Sequence, residues 1–70
     1  MSRFMLTFDV DRQQEGIKAV KPLPGVMLAG IPQADGTVIV RTTTRTLDDE
    51  TIAIRNIEDI QGVIDLRLMD

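Results

Sequence analysis

Three successive carboxylates, Asp48-Asp49-Glu50, form the densest cluster of potentially reactive groups in the chain. Hard oxygen donors of this kind suit a cation such as Mg²⁺. They follow Thr46, which has Asp49 three residues on. That spacing caps a helix, whose positive N-terminal end also favours acidic side chains. Asp9 and Asp11 point to one side of a strand end, where turn chemistry accounts for them. Histidine and cysteine are both absent, so the commonest general base, the usual metal ligands and any thiolate are missing. Ser2 and the run Thr42-Thr43-Thr44 have no base to activate them, and the threonines suit a strand by β propensity alone. Lys18 and Lys21 lie beside Pro22 and Pro24 and are read as solvated. No glycine pattern resembles a phosphate-cradling loop. The expectation is a protein without catalytic residues, metal or cofactor.

At 70 residues, a chain makes one domain and buries only about 60% of its unfolded surface. An apolar share of 43% with 27% charged residues argues for a globular chain over a disordered one. The net charge of −3 offers no global attraction for nucleic acid. No apolar run approaches the roughly 18 residues of a membrane span. The opening stretch Met1 to Leu6 is interrupted by Thr7 and Asp9, too early for a secretory signal. A cytoplasmic location is therefore expected.

The elements follow from periodicity. Phe4, Leu6, Phe8 and Val10 alternate with Met5, Thr7 and Asp9, which predicts a strand with one buried face. Asp11 with Gln14 three residues on marks a helix start, and Ile17, Val20 and Leu23 line the helix until Pro22 and Pro24 end it. Gly16 weakens it by up to about 1 kcal/mol relative to alanine. Val26 to Ile31 reads as a second strand and Thr37 to Thr44 as a third, joined by a hairpin in which Asp35-Gly36 supplies positive φ. Leu47, Ala53, Ile54, Ile57 and Ile60 form the buried stripe of a second helix, with Gly62 at its end. Ile64, Leu66 and Leu68 then alternate inward in a last strand. Leu23-Pro24-Gly25-Val26 and Ile60-Gln61-Gly62-Val63 echo one another, each closing a helix and opening a strand. Two strand–helix–strand halves predict residues 1–70 as one α+β domain. The expected fold is a ferredoxin-like βαββαβ sandwich, an antiparallel four-stranded sheet with both helices on one face.

Through "LPGV", the hairpin "ADGTVIV", the acidic-capped helix and "IEDIQGVIDLRLM", the chain resembles the NapD-type chaperones over about two thirds of its length. The resemblance implies the same fold and a role in binding the twin-arginine signal peptide of a periplasmic nitrate reductase before export. The effector-binding domain of the Lrp/AsnC regulators is similar in the same pattern. Neither resemblance assigns a functional residue.

Alternation also defines the sheet face turned away from the helices. Arg3, Met5, Thr7 and Asp9 point there, as do Met27, Ala29 and Ile31, then Ile39, Arg41 and Thr43, and finally Asp65, Arg67 and Met69. The expected partner-binding set is Arg3, Met5, Met27, Ile39, Arg41, Arg67 and Met69, with Ile31 beside it. Flexible methionines next to arginines suit an adaptable protein interface. The reading is a non-catalytic interaction module, an adaptor, chaperone or inhibitor, that binds a protein or peptide by its open sheet face or a strand edge. Homodimerisation through that face belongs to the same class. The alternatives are a small-molecule effector domain and a nucleic-acid binder using Arg41, Arg45 and Arg67. RNA recognition on a sheet needs aromatic platforms, and the only aromatics, Phe4 and Phe8, are assigned to the core.

Overall fold

In the computed structural model, which describes residues 2–69, strand β1 (Arg3–Phe8) buries Phe4, Leu6 and Phe8 in strict alternation. Val10 does not continue the pattern and is exposed. The reason lies one residue earlier: the Asp9 carboxylate accepts from the Asp11 N–H at 3.1 Å and turns the chain into a short 3-10 turn, Val10–Arg12. Asp9, not Asp11, is thus the cap that starts the helical segment. Helix α1 (Gln13–Val20) follows directly and buries Val20, with Ile17 and Leu23 packed at the edge of the core.

Strand β2 (Val26–Leu28) is shorter than its apolar run suggested. The Ala29 N–H still donates to the Ile39 carbonyl at 2.8 Å, after which the chain leaves the sheet. In the connection to β3 (Thr37–Thr42), the Gly36 N–H donates to the Gln33 carbonyl and Gln33 N–H to the Thr37 carbonyl. Only Gly36 of the Asp-Gly pair has positive φ, at 95°. Asp35 acts instead through its side chain, which accepts from the Thr37 N–H and hydroxyl.

Helix α2 (Leu47–Glu58) starts where the sequence placed it, with the Thr46 hydroxyl accepting from the Asp49 N–H at 3.1 Å. Ala53 and Ile57 are buried, and Ile54 and Ile60 pack against them. Leu47 is 81% exposed and stands outside the stripe: it sits at the helix's first position, before the face reaches the sheet. Strand β4 (Val63–Leu68) pairs with β1. The register slips at one end, so that Val63, rather than Ile64, lies opposite Phe8. A bulged strand carries one residue too many for its partner. Val63 therefore takes the inward place expected of Ile64, which is left 67% exposed. Leu66 packs at the core margin, whereas Leu68 is exposed at the end of an edge strand.

The strand order is β2-β3-β1-β4, with every neighbouring pair antiparallel. This is the ferredoxin-like βαββαβ arrangement. The echo between the halves is structural: Gly25 and Gly62 have φ of 74° and 99°. Their carbonyls accept at 2.8 Å from Thr43 and Asp9, just past β3 and β1. One core, built from both helices and all four strands, lies on one side of the sheet.

Candidate functional site

Because side chains alternate across a strand, burying Phe4, Leu6, Val38 and Val40 under the helices forces their neighbours to the opposite face. The pairing register then determines which of these meet. Met5 lies opposite Ile39 on one side and Arg67 on the other. In the adjacent row, Arg41 lies opposite Arg3 and Met27. The Met69 N–H extends this row past the end of β4 by donating to the Arg3 carbonyl at 2.9 Å. All seven residues expected on this face thus occupy two neighbouring rows across the four strands. A third row is polar, with Thr7 between Thr37 and Asp65.

The two central strands place Met5 and Ile39 in the middle of the face, and the edge strands put Met27 and Arg67 at its flanks. Met5 is 38% exposed and Met27 49%, as expected of side chains lying on a sheet with no layer above them. Met27 sits diagonally to Ile39, within reach of a long side chain. The Arg41 guanidinium lies 3.8 Å from the Met27 sulfur. Arg67 Nε donates to the Asp65 carboxylate at 2.6 Å, both being exposed.

Ile31 is not a strand residue, yet it remains at the border of this face. The segment from Gly30 to Gln33 forms a wall beside Met5, Thr37 and Ile39, enclosing a groove of about 240 Å³. The wall is held by two side-chain amides: Gln33 Nε2, its own, donates to the Ile31 carbonyl at 2.9 Å, and Gln13 Nε2 from the start of α1 donates to the Gln33 carbonyl at 2.8 Å. Neither glutamine stood out in the sequence, since a polar amide in a loop or at a helix start gives no periodic signal. A larger hollow, of about 420 Å³, opens elsewhere between Gly25, Thr44 and the start of α2. Its charged lining residues are Arg45 and Asp49.

Two acidic residues elsewhere, Glu50 and Asp35, have structural roles. Glu50 Oε1 accepts from the hydroxyl of fully buried Thr42 at 2.7 Å. That bond, followed by one to Ser2, holds the Glu50 carboxyl below its usual range. Asp35 is likewise lowered, chiefly by the Thr37 hydroxyl. Among the described residues, no group of three metal-ligating side chains comes together, and no helix is long and apolar enough to cross a membrane.

No protein-family model matches the chain, and no curated protein does either. Among solved structures, the chain is similar to the solution structure of the E. coli Tat proofreading chaperone protein NapD. The TM-score is 0.90 at 16% identity, over 99% of this chain and 73% of that one. The likeness is one of fold, the fold to which the sequence resemblance pointed.

Proposed function

We propose that this ferredoxin-like chain is a non-catalytic interaction module that holds a protein or peptide on the open face of its sheet. The observation that carries this reading is the register: it gathers Met5, Met27, Ile39 and Met69 beside Arg3, Arg41 and Arg67 on a face that neither helix covers. Contiguous exposed apolar surface on a small protein marks a contact site, and methionines let it adapt to its partner. A fold shared with a proofreading chaperone supports the chaperone-like member of this class.

The test is Ile39→Asp. In the free protein the new carboxylate reaches water, so circular dichroism should show the native fold. In a complex it would be desolvated without a counter-charge, costing about 3–5 kcal/mol. Partner capture should be lost. Unfolding would make Ile39 a core residue; unchanged association would move the site to the strand edges.

A further inference from the structure

We propose that strand β4 is a self-pairing edge: two copies of this chain join antiparallel along it, about a two-fold axis at Leu66. Strand β4 ends the sheet, and no strand lies beyond it among the described residues. The Met69 N–H donates to the Arg3 carbonyl, and Arg67 and Asp65 follow at alternate positions of the pairing with β1. In an antiparallel ladder, main-chain groups turn to alternate sides residue by residue. Leu66 and Leu68 therefore direct their N–H and C=O groups outward, to the free edge. Such edges are protected by shortness, proline, lysine, bulges or an inward-facing charge. The other edge strand, β2, has three residues. Strand β4 has six, with neither proline nor lysine, and its bulge lies at its start, between the pairs made by Val63 and Asp65. Its two charges, Asp65 and Arg67, stand opposite Thr7 and Met5, on the open face rather than the helix side.

The strand's own chemistry selects a second copy as the occupant. Ile64-Asp65-Leu66-Arg67-Leu68 reads apolar, acid, apolar, base, apolar, and about Leu66 each half complements the other. With the axis there, the two copies of Leu66 exchange N–H···O=C bonds. Asp65 of each copy lies opposite Arg67 of the other, and Ile64 opposite Leu68. Cross-strand pairs of opposite charge and pairs of apolar side chains both stabilise a sheet. Ile64 and Leu68, each largely exposed in one chain, then cover one another. Moving the axis to Asp65 or Arg67 sets like charges directly opposite, which is destabilising; moving it to Ile64 or Leu68 forfeits both charge pairs. The Asp65–Arg67 bond within each chain is kept, and each charge gains a second opposite neighbour across the edge. The arrangement is isologous and closes at two copies. Both open faces stay on one side of the joined sheet, uncovered. A contact of one strand per copy is small, so the dimer is a weak one.

The experiment is sedimentation velocity on the whole chain up to millimolar concentration, with amide exchange measured by NMR alongside. A monomer–dimer equilibrium is expected, the amides of Leu66 and Leu68 gaining protection as concentration rises. Arg67→Glu and Asp65→Arg should each weaken the dimer at least about tenfold, since each sets like charges across the edge. Mixed in equal amounts, the two variants should associate at least about tenfold more tightly than either alone, because acid then faces base at both positions. Both side chains are exposed, and circular dichroism checks that each variant keeps the fold. If one does not, the protection of Leu66 and Leu68 in the unaltered chain decides. Ile39→Asp, on the open face, should dimerise as the unaltered chain does, so this proposal and the docking-face reading fail separately. The proposal is overturned if the chain stays monomeric at the highest concentration, if it grows beyond a dimer, or if the mixture associates no better than its components. It is also overturned if concentration shifts the amides of Met5 and Ile39 instead of protecting those of Leu66 and Leu68.

Discussion

Gly16 shows how a single residue can carry opposite meanings in sequence and in space. By helix propensity it is a weak point. In the structure it is buried where α1 crosses the Phe8 ring, and a Cβ built there would overlap ring atoms, with Cζ at only 2.9 Å. Phe8 is itself 1% exposed and has nowhere to retreat. Gly16→Ala, which would stabilise an exposed helix by up to about 1 kcal/mol, should therefore destabilise this one by about 1–3 kcal/mol, the usual cost of overpacking. Urea melts of the two proteins decide the sign. A gain in stability would mean that α1 rides higher above the sheet than described.

At the scale of elements, the bond between Thr42 and Glu50 ties the end of β3 to the first turn of α2. Thr42 is also an acceptor for the Ser2 N–H at 3.0 Å, so one buried hydroxyl joins three parts of the chain. Since Glu50 is held below its ordinary value by this bonding, its ionised form is favoured in the folded state. Its contribution to stability is complete above the unfolded-state pKa and is lost as the pH falls through the lowered one. Glu50→Gln should flatten the acid side of a plot of melting temperature against pH, with wild type and variant converging at the acid end. Asp35, lowered by Thr37, should leave a residual slope that Asp35→Asn removes. Parallel curves for wild type and Glu50→Gln would show that the tie does not respond to ionisation.

For the whole molecule, both helices and all four strands share one core, and neither half of the pseudo-repeat has a second one to fall back on. A domain of this length is expected to be stable by on the order of 5 kcal/mol. Leu6, fully buried at the centre of β1, is flanked by Val38 and Leu66 across both neighbouring strands. Leu6→Ala should cost about 2–5 kcal/mol, enough to threaten the entire fold rather than one corner of it. Chemical denaturation followed by circular dichroism should show one transition moved to lower denaturant. A change below about 1 kcal/mol would place Leu6 outside the core, contrary to the range for buried leucines.

Much of this was legible in the chain itself, because alternation and helical spacing are local properties. Phe4, Leu6 and Phe8 on one side of β1 dictate Arg3, Met5 and Thr7 on the other, whatever lies across the sheet. Thr46 caps its helix with atoms three residues away, and the positive φ of Gly25 and Gly62 turns the chain into β2 and β4, a few residues beyond the helix ends at Val20 and Glu58 where Gly62 was expected to cap. For the same reason the seven residues of the open face could be named before their neighbours were known. Their grouping into two rows required the register, which depends on hydrogen bonds between strands far apart in sequence. Where tertiary contacts compete with local pattern, the pattern failed. Ile64 was displaced by the bulge against β1, and Leu47 lay ahead of the point where α2 meets the sheet; Val10 was drawn out of β1 by a local bond instead, the Asp9 carboxylate accepting from the Asp11 N–H. Gly16 is the sharpest case. Its lack of a side chain is written in the sequence, but the aromatic ring that requires it comes from another element, and only packing brings the two together.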